Sequence, residues 1–279
     1  MCKKIIGRLV IISISMIILS GCAGKKESEN ITVTVFAAKS LNGVMDEIVK
    51  VYNEENTEID FITNYDSSGI LQTQIEEGAD CDVFFSAAQK QMDALEGQGL
   101  VVAGTRCDVV NNQVCVVTTK GSDTKVTGLD NIGLAESLAL AAGSVPVGKY
   151  TRVAMVNSKL LPECEDPSVI TTGEVADALG GVVINECANV GAVAVAVAEG
   201  VNEVGTVYYS DYKGYEDRMD IIEIIPNELT GDVIYPVAQI VNRQASDGQQ
   251  NEAVRFISFL KSNKAKEIFE KYYFDTKVE

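Results

Sequence analysis

The chain has 279 residues, 23 Lys and Arg against 40 Asp and Glu, and neither histidine nor tryptophan. Without histidine there is no Ser-His or Cys-His nucleophile pair and no imidazole metal ligand. A formal net charge of −17 argues against nucleic acid or anionic lipid as a partner.

Lys3, Lys4 and Arg8 precede an apolar run from Leu9 to Leu19, which is too short for a stable bilayer span and reads as an export signal over residues 1–21. It ends in Leu19-Ser20-Gly21-Cys22, small residues set directly before a cysteine, which resembles the lipobox of bacterial lipoproteins. A lipidated Cys22 implies an extracytoplasmic protein held on a membrane, since two or more acyl chains anchor stably where one does not. Losing the signal removes three cations and no acid, leaving 20 basic and 40 acidic groups in 258 residues, a net charge of −20. That length suits one large or two modest domains. Residues 22–30 are polar beyond the cysteine and read as a lipidated linker. Cys81, Cys107, Cys115, Cys164 and Cys187 remain; five cannot all pair, no C-x-x-C occurs, and mostly buried thiols are expected.

From Ile31 onward, β-branched runs alternate with amphipathic segments, the pattern of an α/β fold. ITVTVFAA (31–38) reads as a strand and 40–56 as a helix with Leu41, Val44, Ile48, Val51 and Tyr52 on one face. EIDFITNY is a second strand, SGILQTQIEEG (68–78) a helix closed by Gly78, CDVFFSA a third strand and 89–96 a short helix. The repeats restart around NNQVCVVTT (111–119). LALAAG (138–143) then gives a strand, GSVPVGKY (143–150) a loop and TRVAMVNSKLL (151–161) a helix. GAVAVAVAEG (191–200) alternates like a strand, but its boundaries and the better strand EVGTVYYS after it favour a buried helix. DVIYPVAQIV (232–241) is a last strand leading into one amphipathic stretch, 251–272. One α/β unit therefore interrupts another: 31–115 with 236–279, and 116–235 between them.

GSVPVGKY matches the opening of a phosphate-binding P-loop and then offers Tyr150 where Mg²⁺ needs Ser or Thr. It is one of four places where a strand ends in small or hydroxyl residues and a helix begins: 38–40, 66–68, 146–148 and 188–190. In an open α/β sheet such turns gather at the carboxyl edge, where free N–H groups favour an anion. Taken singly, Ser40 or Ser68 could be a plain helix cap. Catalytic readings are weak, because Lys39-Ser40 are adjacent residues and SDTK (122–125) lacks the partner motifs of the penicillin-binding enzymes.

FAAKSL (36–41), SSGILQTQIEEGADCDVFFSAAQKQM (67–92), VPVGKYTR (145–152), GTVYYSD (205–211) and YPVAQIV (235–241) together resemble the periplasmic molybdate-binding proteins of ABC importers. The resemblance runs over nearly all of 31–279. It implies a two-domain periplasmic-binding-protein-like fold of type II, with mostly parallel sheets flanked by helices and a cleft between. It also implies a monomeric receptor for molybdate or tungstate that serves an ABC permease, with no cofactor, no catalysis and no direct protein ligand to the metal. Carried over position by position, it implies hydroxyl and amide donors at Ser40 and Ser68, amides at Val147 and Val190, and the Tyr208 hydroxyl, with Tyr209 as the competing assignment. Two residues depart from the pattern: Lys39, expected to reach solvent, and Ile70, which loses a hydroxyl. Sulfate or a small organic acid on the same fold is the alternative ligand.

Overall fold

The computed structural model describes residues 30–278; the export signal and Cys22 lie outside the described residues. The first βα repeats are β1 (Ile31–Ala38), α1 (Asn42–Asn53), β2 (Ile59–Asp66), α2 (Ser68–Glu76), β3 (Val83–Phe85), α3 (Gln89–Gly97) and β4 (Cys107–Asn112). After Gln113 the chain enters a second set: β5 (Val114–Thr119), β6 (Ser137–Ala141), α4 (Pro146–Asn157), α5 (Thr172–Ala178), β7 (Val183–Cys187), α6 (Val190–Ala198), β8 (Val204–Tyr208) and β9 (Met219–Ile224). A short helix α7 (Asn227–Thr230) leads back to β10 (Val233–Gln239), α8 (Asp247–Leu260) and α9 (Asn263–Lys271).

Two five-stranded sheets result, ordered β2-β1-β3-β10-β4 and β7-β6-β8-β5-β9. Each is parallel except at its fourth position, where β10 or β5 runs antiparallel to both neighbours. These two strands follow the two crossings between lobes, so each lobe is completed by a strand arriving from the other. The parallel pairing comes from βα crossovers, whose helices cover the faces and let strands such as β1 be apolar almost throughout. Val33, Val35, Ala37, Val83 and Phe85 are completely buried.

Register positions the functional edge. β1 and β2 pair from Ile31↔Ile59 to Ala38↔Asp66, so both strands end level and the starts of their helices emerge side by side. In the second lobe Ala141 of β6 lies opposite Cys187 of β7, which brings the starts of α4 and α6 together in the same way. The two lobes present these edges to each other.

Three local readings are corrected. The stretch 143–150 is not a loop throughout: α4 starts at Pro146, because proline is favoured at a first helical position where its missing N–H costs nothing. The segment after residue 250 is two helices, broken where Ser262 caps α9 by accepting from Ala265 N–H at 3.2 Å. The helix after β1 opens with a 3₁₀ turn over Lys39–Leu41. The helix expected at 191–200 is present as α6 (Val190–Ala198); of its six buried residues, Val190, Val193, Ala194, Val197 and Ala198 follow helical spacing, with Ala196 buried beside them. The five cysteines among the described residues are all free, with Cys81, Cys115 and Cys187 buried. Among the described residues no helix is long and apolar enough to cross a membrane.

Candidate functional site

Ser40, Ser68, Val147, Val190 and Tyr208 all line one small cavity between the lobes, with Lys39, Ser67, Ala87 and Pro146 beside them. Its volume is about 10 Å³, measured to the centre of a water-sized sphere, against roughly 300–1,000 Å³ for pockets that take organic ligands. It has room for one compact guest. All five residues are buried, Ser40 being 8% exposed, Val190 4%, Ser68 and Tyr208 1% and Val147 not at all.

Backbone N–H groups reach this cavity because the first turn of a helix has no intrahelical acceptors. Ser67 accepts from Ile70 N–H at 3.4 Å and is the cap of α2, so Ser68 does not cap and its amide stays free at the first helical position. Asn189 caps α6 in the same way, accepting from Ala192 N–H at 3.0 Å, and leaves Val190 free. In α4 the cap residue Val145 makes no side-chain bond and Pro146 carries no N–H, so Val147 supplies the first amide. Such positions favour negative charge through both their free donors and the helix dipole.

Carbonyl oxygens would repel an anion, and at α4 they are tied down from behind. Arg152 is fully buried; its guanidinium donates to Ala141 O and Gly148 O at 2.9 Å and to Ile170 O at 2.8 Å. Both glycines of the P-loop-like motif answer to packing rather than to phosphate. A Cβ on Gly143 would stand 2.2 Å from Ser168 O, and one on Gly148 would stand 2.2 Å from Ala142 O. Neither Lys149 nor Tyr150 lines the cavity.

The side chains are held by a network that sequence reasoning missed. Ser68 Oγ accepts from Ala87 N–H at 2.9 Å. Ser40 Oγ lies 2.9 Å from Tyr235 Oη, and Asn112 Nδ2 donates to Tyr235 Oη at 3.1 Å and to Ser210 Oγ at 2.8 Å. Asn112 ends β4 at the first crossing, and Tyr235 sits on β10 just after the second. The register shift of β10 falls between Tyr235 and Pro236, an irregularity of the kind that admits proline to a strand. Tyr235 opens the quoted stretch YPVAQIV, which was the available signal; nothing in the sequence pointed to Asn112.

Tyr208 ends β8, its ring edge-on to that of Tyr235 with centroids 5.8 Å apart. Its hydroxyl is buried and has no hydrogen-bond partner among the described residues. Burial, with Tyr235 and Tyr150 close by, pushes its pKa well above the ordinary tyrosine value, so it stays a donor. Tyr209 instead stacks on Tyr273 at 4.6 Å and lies away from the cavity. Lys39 does not extend into solvent: it is half-buried, lines the cavity and lies across the cleft on Gly191. The cleft is also bridged by Asn189 Nδ2 donating to Asp66 Oδ1 at 3.2 Å and by Lys90 beside Asp166 at 3.4 Å. SDTK is a surface turn in which Ser122 Oγ accepts from Thr124 N–H at 3.2 Å, and it has no part in the cavity.

Two α/β lobes joined by two crossings, closed on an ion-sized space walled by helix starts, define a solute-binding receptor. The chain belongs to the family of bacterial extracellular solute-binding proteins, whose pattern residues 33–275 match. It is 30% identical over 263 residues to the molybdate-binding protein ModA of Escherichia coli, covering 91% of this chain and 93% of that one. It is 28% identical over 265 residues to YvgL of Bacillus subtilis, provisionally named a substrate-binding lipoprotein of an ABC transporter, covering 93% and 94%. A solved substrate-binding domain from Clostridium difficile, named for a provisional molybdenum ABC transporter, is 30% identical with a TM-score of 0.64, covering 89% of this chain and all of that one.

Proposed function

We propose that the chain is a lipid-anchored extracytoplasmic receptor that captures molybdate or tungstate in the closed cleft and presents it to an ABC permease. It acts as a monomer and carries out no chemical step. The observation that carries the reading is the Tyr208 hydroxyl, a buried donor with no partner among the described residues, on a residue that lines a cavity walled by helix starts and by Ser40, Ser67 and Ser68. Buried polar groups are nearly always paired, so an orphan donor in such a place calls for an acceptor from outside. A bare tetrahedral dianion offers acceptors only, matching a wall of donors. Each hydrogen bond to a charged group contributes about 1.5–3 kcal/mol net, and a handful outweighs the ordering cost of binding.

The cavity volume disfavours organic acids, and a hydrogen phosphate would bring a proton that a hydroxyl of the wall could accept only by giving up its own bond to the guest. Sulfate shares charge and shape, so size alone separates it. Titration calorimetry on protein lacking Cys22 tests the reading with molybdate, tungstate, sulfate and phosphate. Molybdate and tungstate are expected to bind at least a hundredfold more tightly than sulfate, and phosphate not measurably. Comparable heats for sulfate, or none for molybdate, overturn it. Hinge motion of the two lobes about the crossings at Gln113 and 225–232 accounts for entry and release.

A further inference from the structure

Lys39 is the one basic residue lining the cavity. It belongs to the first lobe, at the end of β1, but its stem rests on the second: Cγ and Cε each lie 3.0 Å from where a Cβ on Gly191 would be. Gly191 is the second residue of α6, so this contact exists only while the lobes are together. Among the described residues the Lys39 ammonium makes no ion pair, although five other lysines, Lys90, Lys120, Lys213, Lys264 and Lys271, each face a carboxylate. The carboxylate that senses it is Asp211 of the second lobe, which also accepts from Tyr208 N–H at 3.1 Å. An unpaired cation at the rim of an anion site, seated by closure, has one evident use.

We propose that Lys39 is a charge-selecting residue: carried across the cleft onto Gly191 as the lobes close, its ammonium makes the site favour a doubly charged tetrahedral anion over a singly charged one. This rests on the receptor reading above and deepens it. A wall of neutral dipoles already attracts both charge types; a fixed positive charge adds an interaction proportional to the charge of the guest. Gly191 makes the seat, because any side chain there would meet the lysine stem.

Perrhenate, a tetrahedral tetraoxo anion of single charge, is the probe beside molybdate. Both are titrated calorimetrically into the wild type, Lys39→Met, Gly191→Ala and the double variant. Lys39→Met keeps the apolar stem and removes the charge. Because the lost interaction scales with charge, its effect on molybdate is the square of its effect on perrhenate, for example about tenfold against about threefold. Gly191→Ala, a change that by itself favours the helix, displaces the lysine and shifts the ratio the same way. In the double variant it adds nothing further, since the two residues act as one unit. Equal losses for both anions, or a molybdate affinity within twofold of wild type in Lys39→Met, overturn the proposal while leaving the receptor standing. A wild type that binds no molybdate removes both.

Discussion

Replacing Tyr208 by phenylalanine separates binding from stability more sharply than any other change at this site. The ring is 1% exposed and packs edge-on against Tyr235 at 5.8 Å, a contact that phenylalanine keeps. Only the hydroxyl is lost, and it has no partner among the described residues. Toward an anion it would make one charge-assisted hydrogen bond, about 1.5–3 kcal/mol, so Tyr208→Phe should weaken molybdate binding roughly 10- to 150-fold. Toward the empty protein the sign reverses. An unpaired buried hydroxyl costs about 1–3 kcal/mol, so its removal leaves ligand-free stability unchanged or raises it, by about 2–4 °C per kcal/mol in a chain of this size. The rise is largest if the empty protein spends its time closed. Calorimetric titration gives the first quantity and a thermal melt without ligand gives the second. Binding within twofold of wild type, or a ligand-free melting temperature several degrees lower, would refute the reasoning, because either result makes the hydroxyl structural.

Ser40→Ala and Ser68→Ala should each weaken molybdate binding at least tenfold in the same titration while the fold persists. Each also strands a buried donor, Tyr235 O–H or Ala87 N–H, so melting temperatures fall by an amount corresponding to about 1–3 kcal/mol. Gly148→Ala sets a methyl 2.2 Å from Ala142 O and 2.4 Å from Ala141 O; neither can yield without moving α4, so both binding and the melting temperature drop. Asp211 is pushed up to about 7, by burial first, with Tyr208 N–H and Lys39 opposing, against about 3.9 in an unfolded chain. The folded state then holds this proton more tightly between those values, so the contribution of Asp211 to stability is fully present below about pH 4 and declines as pH rises toward 7. Urea unfolding of the ligand-free Asp211→Asn variant should show that decline reduced relative to wild type, and a wild-type-minus-variant difference equal at pH 5 and pH 8 would count against it.

The fold was legible where one physical signal dominated. β1 is a run of β-branched and apolar residues, and its bounds, Ile31–Ala38, coincide with ITVTVFAA because parallel strands are buried on both faces. In α6 two signals conflicted, since alternating Ala and Val mimic a strand; Asn189 as cap and the helical spacing of the buried valines decided for a helix. The start of α4 at Pro146 is hidden in the sequence because proline and glycine read as loop residues, while Gly148 is required by its close approach to Ala142 O. β4, β9 and α5 carried no period strong enough to announce them. At the site, the resemblance pointed to residues at the ends of strands, where local motif and position coincide. Asn112 and Tyr235 are separated by 123 positions and meet only because both crossings pass under the cleft, which is a property of topology rather than of any local pattern. Length and charge alone send Lys39 to solvent; the seat that holds it, Gly191, lies in the other lobe.

The network beneath the cavity also fixes which way its protons face. Asn112 accepts from Gln113 N–H through Oδ1 at 2.9 Å, so its nitrogen is the end turned toward Ser210 and Tyr235, and nitrogen can only donate. Tyr235 Oη therefore accepts from Asn112, and its single proton has Ser40 Oγ as its one hydrogen-bonding neighbour besides Asn112 among the described residues. Ser40 accepts that proton, which leaves its own to point elsewhere. Ser68 likewise accepts from Ala87 N–H, and its proton too is left over. Amides at Val147 and Val190 have protons only, and Tyr208, kept neutral by burial, adds another. The Ser40 and Ser68 hydroxyls are thus engaged from behind, and only that of Tyr208 keeps both its proton and its lone pairs free. A protonated oxyanion entering this space could pair its own hydrogen only by turning the Tyr208 hydroxyl from donor to acceptor, a lost hydrogen bond to the guest worth about 1.5–3 kcal/mol, so discrimination by protonation state is in part set by a strand crossing far from the cavity in sequence.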